Sequence, residues 1–169
     1  MLRNESKYAT VFRSAAFEDV HSLIESEAVR LAGACAKKIH TGRSRNDQVL
    51  VMMRWFMRRK ADTIRKSTMA LALKCVEFAK KYEMPPMPGY THMQKAMPTT
   101  LGTWYGAFAE SLLDDLRMLT AIRNTLVDQN PLGSGAGFGS PFAFDRDKLS
   151  HDLGFKRTQN NVIDRKSVV

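Results

Sequence analysis

The sequence is poor in the features that would take it outside the ordinary globular class. It has only two cysteines, Cys35 and Cys75, far apart and without paired spacing. That excludes a disulfide framework or a thiolate metal pair, and reduced, buried thiols are expected. The four histidines show no ligand spacing with cysteine or acid, so no structural zinc or other metal site is expected. No apolar run approaches the roughly 20 residues of a membrane span. The opening Met1-Leu2-Arg3-Asn4-Glu5-Ser6-Lys7 has no apolar signal-peptide core, so the expectation is a cytoplasmic protein without a membrane partner. No strand pair, internal repeat or low-complexity tract is visible, and no glycine or proline occurs between Asp47 and Tyr82.

What is present is enough for one domain: 169 residues with 44% apolar content, which can bury a real core and argues against wholesale disorder. Acid is the scarcer charge, 17 Asp and Glu against 26 Lys and Arg, for a net charge of +9. Much of the excess lies at Arg54, Arg58, Arg59, Lys60, Arg65 and Lys66. Such a run on a helix is read as a solvated face rather than a nucleic-acid surface, and no nucleic-acid partner is expected.

The apolar period builds helices. Val20, Leu23, Ile24, Ala28 and Leu31 fall on one helical face that begins near Phe17, and Gly33 is a plausible stop. Glu18, Asp19 and Glu25 suit the start or wet face of this helix, and His21 reads best as a packing residue. From Asp47 to Tyr82 the pattern gives a helix of about 35 residues, or roughly 50 Å. Its apolar positions, Met53, Trp55, Phe56 and Leu71 among them, spread around the circumference, which demands partners on several sides. A proline-rich segment (Pro85, Pro86, Pro88) ends that helix in a stiff extended stretch. A second long helix is expected from Pro98 to Val127, with Pro98 at its first position and Gly102 and Gly106 letting a neighbour approach. Pro131-Leu132-Gly133-Ser134-Gly135-Ala136-Gly137-Phe138-Gly139 lacks the ending of a P-loop and a preceding strand, so it reads as a flexible or closely packed loop. A short helix follows from near Asp145 to Gly154. The class is all-α: long antiparallel helices of a bundle, with an incomplete helical region over 1–40 and an incomplete bundle domain over 41–169.

Two polar turns carry the chemistry. His40-Thr41-Gly42-Arg43-Ser44-Arg45-Asn46-Asp47-Gln48 opens the long helix, and a helix start presents free N–H groups and a positive dipole end to an anion. Ser44 and Asn46 can cap it, and Arg43 and Arg45 can fork onto a carboxylate. Gly89-Tyr90-Thr91-His92-Met93-Gln94 offers a hydroxyl, an imidazole and an amide within four residues. One turn suits negative charge and the other can move a proton, together halves of a site for a small dicarboxylate.

These motifs, with Glu18-Asp19-Val20-His21 and with PLGSGAG followed by Phe-Asp145-Arg146, resemble the argininosuccinate lyase family of the fumarase/aspartase superfamily, in its order and at about its spacing. The resemblance implies a helical-bundle fold, a homo-oligomer (a tetramer in the full-length form), no cofactor, and a place in arginine biosynthesis and the urea cycle. It implies β-elimination of argininosuccinate to arginine and fumarate. His92 then matches the family's proton acceptor, acting directly or by orienting another group. Asn46, Thr91, Arg45, Arg43, Ser44 and Gln94 would bind the dicarboxylate substrate. The family's Gly-Ser-Ser-x-Met-Pro-x-Lys loop does not occur in this sequence, so the expectation is a front-middle portion of a lyase, with Met1 an internal start, inactive alone. Two alternatives stay open: another lyase of the superfamily acting on a different succinyl compound, and a non-catalytic helical protein of crystallin type.

Overall fold

The computed structural model describes residues 19–161. Expectations for Phe17, Glu18 and the remaining terminal residues lie outside that range. The chain divides into two compact units, Met1–Leu50 with Pro131–Arg146 and Asn160–Val169, and Val51–Asn130 with Asp147–Gln159.

In the first unit, helix α1 (Val20–Ala32) starts where Asp19 accepts the Ser22 N–H and stops at Gly33, whose φ of 69° turns the chain out of the helix. Of its apolar face only Leu23 is buried, while Val20 and Leu31 are exposed. A 3-10 helix, Gly33–His40, leads into the basic turn. Leu23, Ala36, Leu50 and Leu132 form the small core.

Helix α2 (Arg45–Lys81) runs through the glycine- and proline-free stretch as the period requires. In the second unit it meets helix α3 (Leu101–Ile122). Ala79 lies against Gly102, Phe78 against Tyr105 at 5.2 Å, and Asp62 pairs with Arg123 at 3.3 Å. Partners that descend along one helix as they ascend along the other make the pair antiparallel, as expected. Ala72, Ala109 and Leu116 are buried along this line. The end of α3 widens into a π-turn, Arg123–Val127.

Between the two helices the expectation of no strand pair fails. Strands β1 (Pro86–Thr91) and β2 (Gln94–Thr100) form an antiparallel hairpin. Pro98 is therefore not the first residue of a helix: it pairs with Pro88 inside the hairpin, and α3 is capped instead by Thr100, whose Oγ1 accepts from the Thr103 N–H at 3.1 Å. Pro86 and Pro88 fall on alternate positions of the ladder that call for no backbone donor, so the prolines tolerate the pairing. A two-residue parallel pair, β3 (Gln129–Asn130) with β4 (Arg157–Thr158), and the short helix α4 (Arg146–Asp152) complete the described elements. The bundle reading holds, with two small two-stranded additions.

Candidate functional site

The first candidate half-site is the start of α2. Arg43 N–H donates to the His40 carbonyl at 3.1 Å and closes the turn. Ser44 Oγ accepts from Asn46 N–H at 3.2 Å, and Asp47 Oδ1 accepts from Ser44 N–H at 3.0 Å. Ser44 caps the helix through the second-position N–H, and the third-position carboxylate of Asp47 reaches back to the cap's own N–H, as in half of a capping box. Ser44 is thus the cap, whereas Asn46, also expected as a cap, sits inside the first turn. Arg45 and Asn46 are exposed on the arc between the two capping residues.

Both arginines of the turn have internal partners. Arg45 Nη1 meets Asp19 Oδ2 at 2.5 Å, and its Nη2 donates to Ser22 Oγ at 3.4 Å. Arg43 Nη1 donates to the Ile39 carbonyl at 2.7 Å. The carboxyl of Asp19 is held below the usual carboxylate range, first by the Ser22 N–H; desolvation opposes this, and the Ser22 hydroxyl and the charges of Arg45 and His21 add to the lowering. On the same side of α1, Glu25 meets His40 Nδ1 at 2.5 Å, beside a cavity of about 460 Å³ lined by Ser22, Ser26 and Lys37 as well. Asp19, Ser22 and Glu25 recur every third residue and tie this helix to the basic turn.

The residue that sequence reasoning missed is Asp47. Only 2% exposed, its Oδ2 accepts from the N–H groups of both Gly133 and Gly135 at 3.0 Å. The glycine loop is closely packed: residues 131–134 are buried, and Arg146 holds its far side through the carbonyls of Leu132 and Pro131. Its donors face a resident carboxylate rather than a phosphate. The Ser-x-x-Asp spacing was a visible sign of the cap, but nothing in the sequence points from Asp47 to a loop 86 residues away.

The second half-site is the hairpin tip in the other unit. Thr91 pairs with Gln94, and His92 and Met93 bridge them with φ of 49° and 62°. Two successive left-handed residues make the type I′ connection that strand twist favours. Asn-Gly usually takes that role, and a histidine and a methionine there are strained. Strain of this kind collects at functional positions. Thr91, His92 and Gln94 are exposed, and Met93 is 99% exposed. The structure thus groups Arg43, Ser44, Arg45 and Asn46 in one unit and Thr91, His92 and Gln94 in the other.

Two further expectations are corrected. Arg54 and Arg58 are not part of a solvated basic face: Arg54, 7% exposed, donates to the Gln129 carbonyl, and Arg58 meets Asp128, the Gly154 carbonyl and the Phe155 ring. Nor are the cysteines buried: Cys35 is exposed and Cys75 half-buried, both free thiols.

A family model described as lyase matches residues 12–168. The chain belongs to the lyase family. This lyase is 44% identical to the argininosuccinate lyase of Phocaeicola vulgatus over 146 residues, 86% of this chain and 32% of that protein. The argininosuccinate lyase of Thermotoga neapolitana is 41% identical over the same share of this chain and 36% of its own length. A solved structure of an EDDS lyase variant with bound fumarate superposes with a TM-score of 0.77 at 30% identity, covering 82% of this chain and 28% of that one. The lyase chain spans about a third of the length of the curated relatives it matches.

Proposed function

We propose that this lyase chain carries the dicarboxylate-binding turn and the His92 hairpin of an argininosuccinate lyase. The observation that carries the reading is the 44% identity to a curated argininosuccinate lyase across 86% of the chain. The reaction takes a proton from the succinyl carbon β to nitrogen. As the C–H electrons form the new double bond, the C–N bond breaks and its electrons leave with arginine's nitrogen, which gains a proton; the other product is fumarate. Charge builds up on the carboxylate beside the reacting carbon, and preorganised donors lower that barrier. The start of α2 supplies them: Asn46 and the helix dipole face the carboxylate, Arg45 adds charge while Asp19 keeps its guanidinium in place, and Arg43 and Ser44 shape the turn. Thr91 and Gln94 hydrogen-bond the substrate from the hairpin of another copy in the assembly, so that the two turns need not meet within one chain. His92 accepts the proton or orients the group that does. The protein works as a homo-oligomer, a tetramer at full length. The exposed Phe56, Leu71 and Leu73 on α2 and Trp104, Phe108 and Met118 on α3 support association, because a monomer rarely leaves so much apolar surface bare. The proposed setting is cytoplasmic arginine biosynthesis or the urea cycle.

The likeness to an EDDS lyase favours a second reading, a superfamily lyase acting on a different succinyl compound. Titration of the chain with fumarate and with argininosuccinate, followed by amide chemical shifts, tests the reading. Saturable shifts at Arg45 and Asn46, tighter for argininosuccinate, are expected. Equal, non-saturating shifts scattered over Arg59–Lys66 would overturn it.

A further inference from the structure

We propose that Asp47 is a positioning residue of the carboxylate site, through which the glycine loop at 133–135 sets the geometry of Arg45 and Asn46. The inference rests on the functional reading of that turn and deepens it. Three backbone donors converge on this one carboxylate: Ser44 N–H on Oδ1, Gly133 and Gly135 N–H on Oδ2, each at 3.0 Å. Ser44 and Asp47 bracket Arg45 and Asn46, so fixing the bracket at both ends fixes the arc between. The far end of the clamp is itself held, since Arg146 donates to the carbonyls of Leu132 and Pro131. A carboxylate in the first turn of a helix is favoured by the dipole, and one that accepts from charge-neutral amides on both oxygens has little freedom to rotate. An asparagine cannot replace it: with one acceptor oxygen and one amide nitrogen, it must turn a donor toward either Ser44 N–H or the two glycine N–H groups. The anion held in the loop is therefore part of the protein, and its task is to brace the turn that receives the substrate's anion.

The test is a fumarate titration of the full chain, read at the Arg45 and Asn46 amides, with Asp47→Asn, Gly135→Ala and the double variant. Gly135 stands at φ +60°, and a Cβ there would meet the Gly139 carbonyl oxygen at 2.9 Å, so alanine disturbs the loop from behind without touching the turn. Asp47→Asn is expected to move the Gly133 and Gly135 amide protons upfield and to weaken fumarate about tenfold. Gly135→Ala should weaken fumarate several-fold, and the double variant should bind no worse than Asp47→Asn alone, the non-additivity that marks coupled residues. Asp47→Asn binding fumarate within twofold of the unaltered chain while the glycine amides move would overturn the proposal and leave the functional reading intact. If Asp47→Asn does not fold, Gly135→Ala decides alone: unaltered affinity there overturns the coupling. If the unaltered chain shows no fumarate shift at Arg45 and Asn46, the functional reading falls and the proposal with it, and the low-field glycine amides still show that the clamp itself was intact.

Discussion

Gly102 and Gly106 are one turn apart on the same helix, yet alanine should act oppositely at the two. A Cβ at Gly102 would meet the Ala79 carbonyl oxygen at 2.6 Å, Glu83 Cα at 2.8 Å and the Tyr82 carbonyl oxygen at 2.9 Å. All three are backbone atoms that cannot rotate away, so the end of α2 and the start of α3 must separate. Overpacking of this kind costs about 1–3 kcal/mol. Separation also weakens the Gly102 N–H bond to the Tyr82 carbonyl, 2.8 Å long, worth about 1 kcal/mol. Against this, alanine gains at most about 1 kcal/mol of helix propensity. The net is a loss of about 2 kcal/mol, from the sum of those terms. At Gly106 a Cβ meets nothing within 4 Å, so alanine should add up to about 1 kcal/mol. Urea unfolding followed by helical circular dichroism measures both: the midpoint should fall for Gly102→Ala and rise for Gly106→Ala, with unchanged m-values. The same contact seats the hairpin, because Leu101 N–H donates to the Pro85 carbonyl at 3.2 Å; Gly102→Ala should therefore also shift the Thr91 and His92 amides. Equal midpoint changes at the two glycines would refute the packing described here.

Other outcomes follow from the same geometry. Met93→Gly should stabilise the chain by about 0.5–1 kcal/mol in urea, since it removes a left-handed strain at the hairpin tip; a loss of stability would mean the turn is unstrained. Asp128, 1% exposed, accepts from Arg58, Arg123 and the Lys156 N–H, and Asp128→Ala should cost about 2–3 kcal/mol by removing charge-assisted hydrogen bonds to two half-buried arginines, of which only Arg123 keeps a second carboxylate, Asp62. Asp19 has a lowered folded-state pKa, so its cap on α1 should hold above the ordinary aspartate value of 3.8 and be lost as pH falls through the lower folded value; the Ser22 amide shift should report this, and Asp19→Asn should abolish that acid-range titration. Sedimentation of the chain at micromolar concentration should show self-association through the exposed faces of α2 and α3, and a clean monomer would contradict it.

The long helices were legible because their signals are local. Gly33 ends α1 as read, Asp19, read only as suiting its start or wet face, caps it, and α2 fills the stretch where no breaker occurs. The hairpin was hidden by its prolines. Pro86, Pro88 and Pro98 argue against a strand unless their register is known, and only pairing Pro88 with Pro98 shows that no missing donor matters. The inward arginines were hidden for a related reason: an Arg54–Arg58 spacing looks the same on a wet face as on one that meets Gln129 and Asp128, 75 and 70 residues later. Both polar turns were found as motifs, but their internal bonds were not. That Arg45 is held by Asp19, and that Asp47 holds a loop, depends on which distant segments the fold brings together.

The measurement that bears most directly on the functional claim is a segment exchange. The matching third of the Phocaeicola vulgatus argininosuccinate lyase is replaced by this chain, and fumarate release from argininosuccinate is followed by absorbance. Equimolar arginine and fumarate are expected from the exchanged enzyme, with turnover lost in His92→Ala and KM raised in Asn46→Ala. A folded, assembled exchange enzyme that releases no fumarate, or one whose turnover survives His92→Ala, would contradict it.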